Sequence, residues 1–121
     1  MISADRAQRI AATLGLLGVV LGAFGAHSLQ PRLLALGTAA IWEKAVFYHF
    51  IHAGMMYLVA VQRPFRPWPW CAWAVGVVIF SGSLYALAVT GLRWLGAITP
   101  IGGVAFIVGW GALAFRRNPS E

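Results

Sequence analysis

Acidic side chains are almost missing from this chain. Among 121 residues there are three Asp or Glu, and Glu43 is the only one away from the termini. Charged residues of both signs make up 10% of the sequence, whereas a soluble domain carries about a quarter. Cysteine occurs once, at Cys71, which excludes an internal disulfide and leaves the redox compartment unreadable. Its neighbours Trp68, Trp70 and Trp73 suggest a packed, inert thiol. No nucleophile–base constellation is visible, which argues against soluble-type hydrolytic catalysis and for a non-enzymatic chain.

What the chain has instead is hydrocarbon. Hydrophobic residues make up 60% of it, with a mean hydropathy of +0.78. A soluble fold of this length cannot hide so much apolar surface, because small domains bury only a modest fraction of theirs. Lipid resolves the conflict. Four apolar runs, at about 10–29, 41–61, 71–89 and 95–115, each have about the twenty residues needed to cross a 30 Å hydrocarbon core. The expected fold is therefore an all-α membrane protein, a bundle of four transmembrane helices forming a single integral-membrane domain over 1–121. Between the first two runs, 32–40 is apolar but too short to cross and reads as a brief interfacial helix with Gly37 as a weak point. The stretch Arg63-Pro64-Phe65-Arg66-Pro67-Trp68-Pro69-Trp70 reads as a break in which a helix should not persist.

The net charge of +6 does not point to nucleic acid, because the basic residues sit at the ends of the apolar runs. Four crossings place both termini on one side, with Arg6, Arg9, Arg63, Arg66, Arg116 and Arg117 there and Arg32, Lys44 and Arg93 on the other. That asymmetry favours cytoplasmic termini and a cell (inner) membrane location. The N-terminal segment mimics a secretory signal, with Arg6 and Arg9 before an apolar stretch and small residues near Ala26, but is read as a retained first transmembrane helix. Trp42, Trp68, Trp70, Trp73 and Trp94 fall near the expected boundaries, as an aromatic belt should. Trp110 lies deeper, which suggests packing between helices or an indole N–H bound to a neighbour.

The first run carries Gly15, Gly18, Gly22 and Gly25 on one stripe, a pattern for close helix approach. A ligand lying in that groove is the other reading. The second run holds His49 and His52 in Tyr48-His49-Phe50-Ile51-His52. They are about 60° apart around a helix, and an unpaired polar group in lipid costs from about one to several kcal/mol. With Met56 on the same face, the pair could ligate copper, and histidines on facing helices could ligate haem iron. The plainer reading is hydrogen bonding to a hydroxyl or carbonyl of a neighbouring helix. Ser81 and Tyr85, one turn apart in the third run, are candidate hydroxyls, although a membrane serine often bonds its own backbone. His27 and Glu43 fall at similar depth at the ends of adjacent runs and could pair, in competition with Arg32, Lys44 and Arg93. Glu43 cannot share a face with His49, since six residues turn a helix through about 240°. Thr99-Pro100 signals a kink in a continuous fourth helix, or else a restart with Thr99 as N-cap.

Gly22-Ala23-Phe24-Gly25-Ala26-His27, Tyr48-His49 with His52, Ser81-Gly82-Ser83-Leu84-Tyr85 with Thr90-Gly91, Gly96 to Gly103 and Gly109-Trp110 follow one another in that order. This series resembles the domain of unknown function 423 family, small bacterial inner-membrane proteins with eukaryotic relatives of transmembrane protein 256. The resemblance covers nearly the whole chain and implies a four-helix integral membrane protein. It implies no activity, cofactor or catalytic residue. The Pro/Trp-rich connection at 64–70 lies outside the pattern. Two functions remain open. One is a structural or accessory subunit packing against itself or a larger membrane complex. The other is a metal, haem or small-ligand site using His49, His52 and His27.

Overall fold

The computed structural model describes residues 1–117, and every regular element among them is helical. Helix α1 is Ala4–Ala26, α2 is Gln30–Leu36 and α3 is Ala39–Val61. Helix α4 spans Pro67–Thr90 and α5 spans Arg93–Ala114. Four of these are long and apolar enough to cross a membrane, and α2 is the short connector.

Local chemistry moves several boundaries away from the edges of the apolar runs. Ser3 accepts a hydrogen bond from the Arg6 backbone N–H through its side chain, and Asp5 lies in the first turn. This cap starts α1 at Ala4 and carries Arg6 and Arg9 on helix rather than before it. At the far end, His27 is the C-cap residue of α1. The expected break through 67–70 is a helix start, because Pro67-Trp68-Pro69-Trp70 forms the first turn of α4. Proline is excluded from helix interiors but suits a first turn, where the missing N–H would have had no intrahelical partner. Gly37 ends α2 in the left-handed conformation, φ 68°, which glycine adopts without a Cβ clash.

Two of the long helices are irregular. In α4 a π-helical turn at Val77–Ser81 separates α-helical stretches. In α5 a 3-10 turn, Arg93–Ala97, precedes the α-helix Thr99–Ala114. The expected alternatives at Pro100 were a kinked continuous helix and a restart capped by Thr99. The structure lies between them. Ile98 stays helical, at φ −82° and ψ −32°, while its N–H bonds Leu95 in the tighter i−3 pattern. Thr99 is not a cap, and Pro100 falls in the first turn of the α-helical part. Proline removes one N–H and crowds the carbonyl four residues earlier, which favours the tighter turn before it.

Neighbouring helices run antiparallel. Gln8 at the start of α1 bonds the Ala60 carbonyl at the end of α3. Thr38 at the start of α3 bonds the Ala88 carbonyl near the end of α4, at 2.6 Å. The start of α1 and the close of α5 therefore lie on the same side, both beside the close of α3. Helix α1 packs almost wholly on α3, and α5 mainly on α4, which leaves α3 and α4 in the centre. The largest fully buried side chain is Trp73 on α4, which shares a core with Met56, Val59, Val77 and Phe106.

Candidate functional site

The glycine stripe brings α1 against α3 at three of its four positions. A Cβ on Gly18 would meet Phe50 at 3.0 Å, and one on Gly22 would meet Val46 at 3.5 Å. At Gly25 the space belongs to the Trp42 indole, whose Nε1–H donates to the Leu21 carbonyl at 2.9 Å. Gly15 faces open space. Close approach of this kind lets backbone carbonyls of one helix come within reach of side chains on the next.

His49 uses that approach. It is buried, and its Nε2 lies 2.7 Å from the Leu14 carbonyl on α1. Its Nδ1 lies 2.8 Å from the Tyr85 hydroxyl on α4. A carbonyl only accepts, so Nε2 carries the proton, and in a neutral ring Nδ1 then accepts from Tyr85. One imidazole thus ties α1, α3 and α4 together.

His52 makes the complementary arrangement. The Trp110 Nε1–H on α5 donates to His52 Nε2 at 3.0 Å. Indole nitrogen is donor only, so Nε2 is bare and the ring proton sits on Nδ1. From there it donates to the Tyr48 carbonyl, one turn earlier on α3, at 2.7 Å. Phe106 stacks on the ring with centroids 3.7 Å apart and planes 12° from parallel. Trp110, whose depth suggests packing between helices or an indole N–H bound to a neighbour, is therefore the partner that joins α5 to α3.

The candidate cluster does not converge on one point. Although the two histidines are neighbours around α3, that helix is surrounded, and their rings enter different interfaces. His49 turns to α1 and α4, and His52 turns to α5. Each neutral ring offers one lone pair, and both lone pairs already accept a hydrogen bond, so a metal at either ring would have to displace Tyr85 or Trp110. Met56 is fully buried in the apolar core beside Val59 and Trp73. No group of three or more potential metal ligands occurs among the described residues. Ser81 does not reach a histidine either. Its hydroxyl donates to the Ala45 carbonyl on α3 at 2.8 Å, on the π-helical turn of α4.

His27 and Glu43 are both exposed, and no hydrogen bond or ion pair joins them among the described residues. Glu43 instead borders an outer groove between α1, α2 and α3, beside Trp42 and Phe47. Arg32 is not a partner for Glu43. Its Nε–H donates to the Val89 carbonyl at 2.6 Å, where a helix end leaves carbonyls without intrahelical donors. Thr99 Oγ1 lies 2.6 Å from Ser83 Oγ and pins α5 to α4. Cys71, expected to be packed, is exposed, because the early start of α4 puts it on the outer side of the second turn. Sequence reasoning missed Thr38 and Gln8 and set Arg32 against Glu43, whereas all three bond to backbone carbonyls.

A family model described as "Protein of unknown function (DUF423)" matches residues 21–103. That segment holds Gly22 and Gly25 of the glycine stripe, His49 and His52, Tyr85 and Thr99. The chain belongs to the DUF423 family. Among its relatives, a UPF0382 membrane protein of Staphylococcus saprophyticus is 46% identical over 99 residues, covering 78% of this chain and 82% of the relative. The UPF0382 membrane protein YwdK of Bacillus subtilis is 44% identical over 102 residues, covering 78% and 81%. The UPF0382 inner membrane protein YgdD of Escherichia coli is 38% identical over 118 residues and covers 89% of each chain. No solved structure matches the chain. This DUF423 protein is thus a small integral membrane protein, as the names of its relatives and its four apolar helices agree.

Proposed function

We propose that this DUF423 protein is a non-enzymatic membrane subunit that packs against a larger membrane complex or a second copy of itself. One observation carries the reading. Both ring nitrogens of His49 and of His52 are engaged inside the bundle, so the polar groups most suited to chemistry hold helices together instead. The exposed surface of α1 fits the same role. Leu16, Val19 and Phe24 project from a helix whose packing within the chain is almost confined to α3. Six basic residues at the end bearing the termini, against three at the other, support cytoplasmic termini.

The test is photo-crosslinking in native membranes from a reactive residue placed at Leu16 or Val19, followed by mass analysis of the products. The proposal expects a discrete protein adduct, either a dimer or one defined heteromeric species. Lipid adducts alone, together with a stable monomer in mild detergent, would contradict it.

A further inference from the structure

A cleft of about 350 Å³ opens at the end that carries both termini, between the close of α3, the 62–66 connection, the start of α4 and the close of α5. Val59, Phe65 and Leu113 line its apolar part, whereas Arg66 and Arg116 supply two guanidinium groups. Neither guanidinium has a carboxylate partner among the described residues. Among the described residues the Arg116 side chain bonds only Gln62, with Nη1–H donating to Oε1 at 3.4 Å. Arg63, next to them in sequence, is committed elsewhere, because it donates to the Ala60 and Gln62 carbonyls at 3.0 Å.

The cleft also lies at the N-terminus of α4. Pro67 and Pro69 have no N–H, and no side chain caps this turn, so the Trp68 N–H is left without an intrahelical partner at the positive end of the helix dipole. Trp68 lines the same cleft and is 80% exposed, as suits a ring at headgroup level. Positive charge, an apolar floor and an interfacial indole thus meet at one place, at the depth where a phospholipid changes from headgroup to acyl chain.

We propose that this cleft binds the phosphodiester headgroup of an anionic glycerophospholipid. Arg66 and Arg116 grip the phosphate oxygens, on which the planar guanidinium fork fits well. The first acyl carbons lie along Val59, Phe65 and Leu113. The site is separate from the histidine braces, and the reading stands whether or not a protein partner exists.

Native mass spectrometry of the full chain, released from nanodiscs of phosphatidylglycerol and phosphatidylcholine in equal amounts, tests this. The expected result is one retained phosphatidylglycerol in preference to phosphatidylcholine. Arg66→Gln and Arg116→Gln should each weaken retention by roughly fivefold, and the double variant on the order of tenfold or more. Arg93→Gln, at the opposite end, should leave retention unchanged. Leu113→Trp keeps both charges but fills the cleft, and should also abolish retention. Millimolar inorganic phosphate should not displace the lipid. Equal retention of both lipids, a double variant or Leu113→Trp that binds like the unaltered chain, or full displacement by phosphate would overturn the proposal.

Discussion

The histidine pair and the arginine pair both set nitrogen-rich side chains in or beside lipid, yet their surroundings differ completely. In the middle of the bundle every ring nitrogen of His49 and His52 has a partner between 2.7 and 3.0 Å. At the end where α1 starts and α5 closes, Arg66 and Arg116 line an open cleft, and among the described residues their side chains make a single long hydrogen bond, from Arg116 to Gln62. The contrast follows from the solvent. Hydrocarbon offers no substitute partner, so an imidazole there gains most from partners within the protein, although the weaker indole donors of Trp70 and Trp73 are buried without an acceptor among the described residues. At the interface, water and headgroups satisfy a guanidinium, so it can remain available to a ligand. In this chain, depth in the membrane therefore separates polar groups that brace from polar groups that can bind.

This difference can be probed as a graded series of effects on stability, measured by reversible unfolding in mixed micelles. The largest loss is expected where the closed region depends on backbone contact. A Cβ on Gly102 would collide with the Phe80 backbone on α4, so Gly102→Ala should destabilise by about 2–3 kcal/mol. The intrinsic helix preference for alanine works the other way by up to about 1 kcal/mol, so a net gain in stability would show that α4 and α5 are not in such close contact.

Next in size is His52→Ala, which leaves the Trp110 indole N–H without its acceptor and empties the space on Phe106. A loss of about 2 kcal/mol is expected, and an unchanged midpoint would remove His52 from the braces. Trp110→Phe keeps an aromatic ring, though a smaller one, but deletes the donor, and should cost about 1 kcal/mol. The smallest effect belongs to the open region. The combined Arg66→Gln and Arg116→Gln variant should stay within about 0.5 kcal/mol of the unaltered protein. A large loss there would make the arginines braces too, and would erase the distinction.

What could be read in advance follows the same division between general and register-dependent forces. The number of spans and the interfacial connector are set by hydrophobic length, which the sequence displays directly. Helix ends are set by single residues, and Ser3 and Pro67 extend α1 and α4 into polar or proline-rich sequence that hydropathy treats as loop. Within the polar cluster, Tyr85 was accessible to reasoning because its hydroxyl is distinctive and lies one turn from Ser81. The carbonyls of Leu14, Tyr48 and Ala45 were not, because every residue has one and only the register of packed helices selects among them. The direction in which His49 and His52 diverge was hidden for the same reason. A 60° separation on one helix becomes two different interfaces only when three other helices surround it.

The central claim, that the two imidazoles are internal braces, is tested most directly by ¹⁵N NMR of histidine-labelled protein in lipid bilayers. The account predicts two neutral rings of opposite tautomer, His49 protonated at Nε2 and His52 at Nδ1, assigned through His49→Ala and His52→Ala and unmoved by added Cu⁺ or Zn²⁺. Two rings of the same tautomer, or ring-nitrogen resonances that shift on adding either metal, would contradict it.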